Sequence, residues 1–104
     1  MNLDDQVKVV VDVIDELKGE EVVTLNVLEQ SVDMEAIIIA TGRSIQHVRG
    51  IANNIKIEAK RLNMMILGIE GTEFNEWVLI DLGEVIVHIT VSYTHLTLPT
   101  IYSV

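Results

Sequence analysis

The sequence predicts an α/β fold in which a mixed five-stranded sheet is flanked by helices. Two segments carry apolar residues at helical spacing, five short runs are mainly apolar and favour strands, and a glycine-bearing turn joins the last two runs. In chain order these elements are helix, strand, strand, helix, strand, strand, strand, which is typical of a layered α/β domain. A length of 104 residues suits one domain with one core.

Both predicted helices have recognisable ends. The first begins at a cap formed by Asn2 or Asp4 and stops at Lys18-Gly19, since glycine commonly closes a helix. The second begins after Ser44, whose side chain can cap the free amides, and ends at Asn63. Apolar residues recur three or four positions apart between these limits, so each helix should bury one face.

The five predicted strands are residues 21–27, 36–40, 65–68, 77–80 and 85–87. Residues 36–40 form an unbroken apolar run, which is expected of a central strand covered on both faces. The polar residues 29–35 before it are expected to form a loop or a half-turn. The last two strands flank a turn that contains Gly83, and they should pair antiparallel.

The charge of the chain favours some partners over others. Sixteen acidic residues against seven basic ones give a net charge of −9. Such a surface is repelled by phosphate, so direct nucleic-acid binding is not expected, and a basic protein surface is the better partner. The alternative is that the acidity only keeps the domain in solution.

The composition also predicts the compartment. The chain has no cysteine, so disulfides and thiolate metal sites are excluded. It has no apolar run long enough to cross a membrane, and its first residues lack the positive charge of a signal peptide. We therefore expect a cytoplasmic protein without a membrane partner.

Residues 91–104 differ from the rest of the chain. Every charged residue precedes them, and they contain both tyrosines and the only proline. The string also resembles a translated adapter sequence. We expect the native domain to occupy residues 1–90, truncated near Thr90, and residues 91–104 to be a non-native tail. A genuine hydrophobic tail is the alternative.

Trp77 is the predicted centre of a partner-binding surface. Side chains alternate along a strand, so Trp77, Leu79 and Asp81 share one face. Val78 and Ile80 point to the other face and suit the core, which leaves the tryptophan on a partly solvated face. An indole beside a carboxylate favours an interface, whereas burial of Trp77 in the core is the alternative.

Three neighbours of Trp77 are further candidates. Asp81 is placed to pair with a basic side chain of the partner, and Leu82 in the following turn would add apolar contact. Glu70 is a weaker candidate, because it could instead cap a turn expected at residues 68–71.

The carboxylates and histidines predict neither catalysis nor a metal site. A nucleotidyltransferase needs acids two positions apart on a strand to hold magnesium, whereas Asp81 and Glu84 are three apart across a turn. His47 and His88 lack further ligands for zinc. We expect structural roles instead, for His47 at the turn before the second helix and for His88 at the sheet edge. No cofactor is predicted.

Four spaced motifs lie within residues 41–88, and the resemblance that they carry extends over residues 7–90 without a gap. They are Thr41-Gly42-x-Ser44-x-x-His47, Ile51-Ala52, Gly68-x-Glu70-Gly71 and Trp77-x-x-x-Asp81-x-Gly83-x-Val85-x-Val87-His88. Together they resemble the ribosomal silencing factor family, also called RsfS or Iojap. The block from the tryptophan to the histidine is the most specific part of the resemblance.

The resemblance implies a nucleotidyltransferase-like fold without catalytic carboxylates. It also implies binding to the large ribosomal subunit through its protein number fourteen, at the face where the small subunit docks. Translation would then be repressed when nutrients run low. The chain departs from the family pattern at Glu35, where aspartate is usual. After His88 the family has a bulky apolar residue and then a charged segment with aromatics, and here Thr90 and the tail replace both. The candidate partner-binding residues are Trp77, Asp81, Leu82, Glu70 and Thr90.

Two other functions are alternatives at this point. Gly42-Arg43-Ser44 is similar to a phosphate-binding turn before a helix, so the chain could be a degenerate nucleotide-binding protein. The Trp77 face could also pair with itself, which would make the chain a simple dimerisation module that forms a homodimer.

Overall fold

The computed structural model describes residues 2–28, 34–71 and 76–92. Its elements are α1 (Leu3–Glu16), β1 (Glu20–Leu28), β2 (Met34–Gly42), α2 (Ile45–Arg61), β3 (Gly68–Gly71), β4 (Trp77–Asp81) and β5 (Val85–Val91). This confirms the α/β class, the five strands and the element order. Most of the loop expected at 29–35 and residues 93–104 of the expected tail lie outside the described residues.

The five strands form one mixed sheet in the order β1-β2-β5-β4-β3. β2 and β5 run parallel, with Ala36 opposite Val85, and the other neighbouring pairs are antiparallel. The predicted hairpin of β4 and β5 is confirmed. The strand at the centre of the sheet is β5, and β2 lies beside it.

Both helices pack on the same face of the sheet and enclose the core. The core includes Val10, Val13 and Ile14 of α1, Val48, Ile51, Ile55 and Ala59 of α2, and Ala36, Ile38, Ala40, Val78, Ile80, Val85, Val87 and Ile89 of the sheet. Ile37 and Ile39 of β2 point to the opposite face and are only half-buried. The expectation that residues 36–40 are covered on both faces is therefore wrong, because the helices cover only one.

The helix ends follow the predicted caps. Asn2 accepts an amide hydrogen of the first turn of α1 at 2.8 Å, and Ser44 does the same for α2 at 3.1 Å. Lys18 and Asn63 follow the two helices with φ of 63° and 62°, the left-handed conformation that commonly closes a helix. Neither described helix has the length and apolar character that crossing a membrane requires.

β3 is displaced from its predicted position. The pattern predicts a strand at residues 65–68, whereas the strand is Gly68–Gly71. Met65 and Leu67 lie in the connection from α2 and expose 72% and 58% of their surfaces. The position of β3 cannot be predicted from apolar residues alone, because the side chains of this short edge strand are largely exposed. A Cβ on Gly71 would lie 2.7 Å from the carbonyl oxygen of Trp77, so glycine allows the two strands to pair closely.

Candidate partner-binding face

The sheet face opposite the helices, here called the open face, is mainly apolar. The pairing register places one row of side chains across all five strands: Val23, Ile39, His88, Leu79 and Glu70. On β1, Val23 and Leu25 expose 45% and 47% of their surfaces. A contiguous apolar surface of this kind is typical of a site for another macromolecule.

Trp77 lies at one end of the open face, in a shallow groove of about 380 Å³ that is here called the Trp77 groove. Its lining residues are Glu70, Trp77, Leu79, His88 and Thr90. Trp77 and Leu79 are half-buried, whereas Val78 and Ile80 between them expose 5% and 0% of their surfaces. The predicted alternation along β4 is therefore confirmed, and the indole is outside the core.

His88 supports the tryptophan from the neighbouring strand. The ring centroids of Trp77 and His88 are 5.9 Å apart and their planes meet at 84°, an edge-to-face arrangement. The register places Thr90 opposite Trp77 and His88 opposite Leu79. His88 does not lie at the sheet edge as predicted, because β5 is the central strand. His88 and Thr90 alternate with the buried Val87 and Ile89, and this alternation in the sequence indicates that β5 has a second, less buried face.

Asp81 shares the face of Trp77 but does not line the groove. Its Oδ1 accepts the amide hydrogen of Gly83 at 2.9 Å, and Gly83 has a φ of 93°. The aspartate therefore shapes the turn between β4 and β5, which explains why it stands two positions before a glycine. Its carboxylate is half-exposed and keeps a second oxygen for another contact.

Leu82 does not reach the open face. Only 6% of its surface is exposed, and it belongs to the core cluster. It lines a small cavity together with Val10 of α1 and Met64. The apolar contact expected from this turn is therefore unavailable to a partner.

Glu70 and Thr90 come together with Trp77, although they are distant in sequence. Glu70 is exposed on β3, and residues 68–71 form that strand rather than the turn that Glu70 was expected to cap. Thr90 is half-buried near the end of β5. The groove therefore combines an indole, an imidazole and an aliphatic side chain with one carboxylate and one hydroxyl.

The turn before α2 makes several hydrogen bonds of its own. The Nδ1 of His47 accepts the amide hydrogen of Arg43 at 2.9 Å, and its Nε2 lies 2.6 Å from the carbonyl oxygen of Leu17. An imidazole that accepts at Nδ1 donates at Nε2, so the neutral ring joins this turn to the end of α1. The amide of His47 itself is bound to Ser44. These contacts give His47 the expected structural role.

Among the ionisable groups of the described residues, Glu58 and Arg61 form a hydrogen-bonded pair. No cluster of three or more potential metal ligands occurs among the described residues. Hydrogen bonds from Arg61 lower the pKa of the half-buried Glu58, and Glu58 raises the pKa of Arg61 in turn. This pair lies at the C-terminal end of α2, on the helical side of the sheet.

Comparisons with known proteins agree with the motifs. A family model described as "Ribosomal silencing factor during starvation" matches residues 1–93. The ribosomal silencing factor RsfS of Chromobacterium violaceum is 32% identical over 89 residues, covering 86% of this chain and 73% of the relative. The protein of the same name from Halalkalibacterium halodurans is 36% identical over 89 residues, covering 86% of this chain and 76% of the relative.

Solved structures show the same fold. A crystal structure of a Chromobacterium violaceum protein superposes with a TM-score of 0.81 at 31% identity, covering 88% of this chain and 76% of that one. A crystal structure from Bacillus halodurans gives a TM-score of 0.75 at 37% identity, covering 84% and 81%. With the motifs, the family model and these relatives in agreement, the chain belongs to the ribosomal silencing factor (RsfS) family.

Proposed function

We propose that this chain represses translation by binding the large ribosomal subunit through its protein number fourteen and blocking the small subunit from joining. The mechanism is steric and includes no catalytic step. The observation that supports it best is the Trp77 groove, which presents an indole on a sheet face that the described helices leave uncovered. The cytoplasm, where ribosomal subunits meet, would be the place of action.

The Trp77 groove has the composition of an interface centre. A tryptophan that is half-buried by His88 is already held in place, so binding costs little side-chain entropy. Tryptophan anchors in the centre of interfaces often contribute about 2 kcal/mol or more, which is roughly thirtyfold in affinity. The apolar side chains of Val23, Leu25 and Ile39 on the open face would enlarge the contact beyond the groove.

The charges around the groove favour a basic partner. Glu70 lines the groove, Asp81 lies on the same face, and the whole chain has a net charge of −9. Such a surface speeds the approach of a basic ribosomal protein, and the effect weakens as salt screens the charges. The carboxylates would orient the complex while the indole anchors it.

The test is sucrose-gradient sedimentation of the tagged chain with separated ribosomal subunits. Wild-type protein should move with the large subunit, and Trp77→Ala should stay at the top of the gradient. Trp77→Phe should retain partial binding, because an aromatic ring still fills the groove. Ile57→Ala is the matched control, since Ile57 on α2 exposes 54% of its surface away from the open face.

A second measurement links binding to repression. Adding wild-type chain to isolated subunits should reduce the fraction that joins into whole ribosomes, and Trp77→Ala should not. Equal co-sedimentation of wild type and Trp77→Ala, with both proteins folded by circular dichroism, would place the interface elsewhere. If light scattering instead shows a dimer that only Trp77→Ala disrupts, with no subunit binding, the open face is a self-pairing surface.

A further inference from the structure

A second groove lies on the helical side of the sheet, between α2 and the strands β3 and β4. It has a volume of about 610 Å³ and is here called the α2 groove. Gln46, Arg49, Asn53 and Lys56 line it along the helix, and Ile69 and Val78 line it on the sheet side. A Cβ added to Gly50 would meet no atom within 4 Å, so this glycine leaves the groove open.

The helical wall of the α2 groove presents four side chains that can donate hydrogen bonds. The four polar residues are spaced three, four and three positions apart, which places them on one face of α2. Two are cationic and two are amides, and none of the described residues that line the groove is a carboxylate. Arg49 is exposed, while Lys56 is half-buried along its stem. This wall is built to hold an anionic or polar chain.

Positive charge is concentrated on this part of an acidic protein. Five of the seven basic residues of the chain lie within residues 43–61, which contain a single acid, Glu58. Arg43 pairs with Glu20 and Arg61 pairs with Glu58. Arg49 and Lys56, in contrast, have no carboxylate within 4.0 Å among the residues that the structure describes.

We propose that the α2 groove binds the sugar–phosphate backbone of RNA. Arg49 and Lys56 are separated by about 10 Å along the helix axis, so they contact different phosphates of one strand. The amide of Asn53, between them, and the amide of Gln46, one turn before Arg49, bind sugar hydroxyls. The net charge of −9 opposes RNA at a distance, but salt at physiological strength screens charges beyond about 8 Å, and local cations then dominate.

The α2 groove borders the same sheet edge as the Trp77 groove. Ile69 and Val78 face the helices, whereas their chain neighbours Glu70 and Leu79 face the other side. A partner protein bound to the open face would therefore leave the α2 groove uncovered. The groove would then face the molecules that surround this partner. The choice of RNA rather than DNA rests on the proposed function, because RNA surrounds every protein of a ribosomal subunit.

The test uses the chain alone, so that it does not depend on ribosome binding. Isotope-labelled protein is titrated with a short oligouridylate while its amide NMR signals are recorded. Signals of α2 residues around Arg49 and Lys56 should shift. Two phosphate contacts predict that a tenfold increase in salt weakens binding by about 25-fold.

Two double variants with the same change of charge separate the groove from general attraction. Arg49→Gln with Lys56→Gln should abolish the shifts and most of the salt dependence. Lys8→Gln with Lys18→Gln, which removes the two lysines outside α2, should leave both intact. Trp77→Ala should also retain the shifts, so a failure of the Trp77 surface and a failure of the α2 groove give different results.

Four outcomes would overturn the proposal. Absent shifts, or shifts that the Arg49 and Lys56 substitutions leave unchanged, would show that this groove does not hold RNA. Equal shifts with polyglutamate would make it a site for acidic peptides. Equal shifts with oligothymidylate would remove the preference for RNA.

Discussion

The indole of Trp77 meets the imidazole of His88 edge-on, with 5.9 Å between the ring centroids. The two residues lie on neighbouring strands, so the geometry of the sheet sets their separation. His88 thereby limits how far the tryptophan can swing, and the exposed part of the indole is presented in a defined direction.

Replacing His88 by alanine should weaken large-subunit binding without unfolding the protein. Loss of an edge-to-face pair removes about 1 kcal/mol, or fivefold in affinity. Trp77 is the only tryptophan, so its emission should shift to longer wavelength as water reaches the ring. A double-mutant cycle with Trp77→Ala measures the coupling directly. Additive effects of the two substitutions would show that the ring contact does not support binding.

Asp81 has one contact within the protein and one charge available to a partner, and two substitutions separate them. Asp81→Asn keeps the oxygen that accepts the amide hydrogen of Gly83, so stability should be retained. Asp81→Ala removes that hydrogen bond and should cost about 1 kcal/mol in urea unfolding. If the carboxylate pairs with a basic partner, both substitutions should slow association, and only at low salt. If the two Asp81 variants associate at wild-type rates at low salt, the role of Asp81 is limited to shaping the turn.

Leu82→Ala should affect stability rather than binding. The side chain is 6% exposed in the core, and truncation of a buried leucine costs about 2–5 kcal/mol. Urea denaturation should show this loss, while the fraction that is still folded binds large subunits with wild-type affinity. Leu79→Ala, on the open face, is the matched comparison and should show the opposite pattern. Normal stability of Leu82→Ala would contradict the burial of this side chain.

His47→Ala should destabilise the fold by disconnecting α2 from the end of α1. The imidazole bonds to the amide of Arg43 and the carbonyl of Leu17, and losing both contacts should cost about 2 kcal/mol. Gln46→Ala, at the exposed neighbouring position of the same helix, should change stability very little. Equal unfolding midpoints for the two variants would argue against this structural role.

Features that depend on neighbouring residues could be predicted from the sequence. The caps at Asn2 and Ser44, the end of α2 at Asn63 and the hairpin around Gly83 all arise within a few residues of chain. The alternation that places Trp77 outward is equally local, because it follows from the geometry of a single strand. These parts were predicted correctly for that reason.

Features that depend on distant contacts could not be predicted in the same way. An unbroken apolar run such as residues 36–40 does not show whether its second face meets a helix or remains uncovered. Leu82 was placed at the surface because turns are commonly exposed, yet this turn carries its leucine into the core. The joining of Glu70, Trp77 and Thr90 in one groove required the order of the strands, which no local pattern contains.

The parallel pairing of β2 with β5 affects when the protein becomes functional during its own synthesis. Residues of β2 emerge from the ribosome long before their partners in β5, such as Val85 opposite Ala36. Pairing between segments so far apart must overcome the entropy of closing a long loop, so the centre of the sheet forms late. A nascent chain acquires its complete sheet only after β5 has left the exit tunnel. With the proposed function, an unfinished chain is therefore unable to act on the ribosome that is making it.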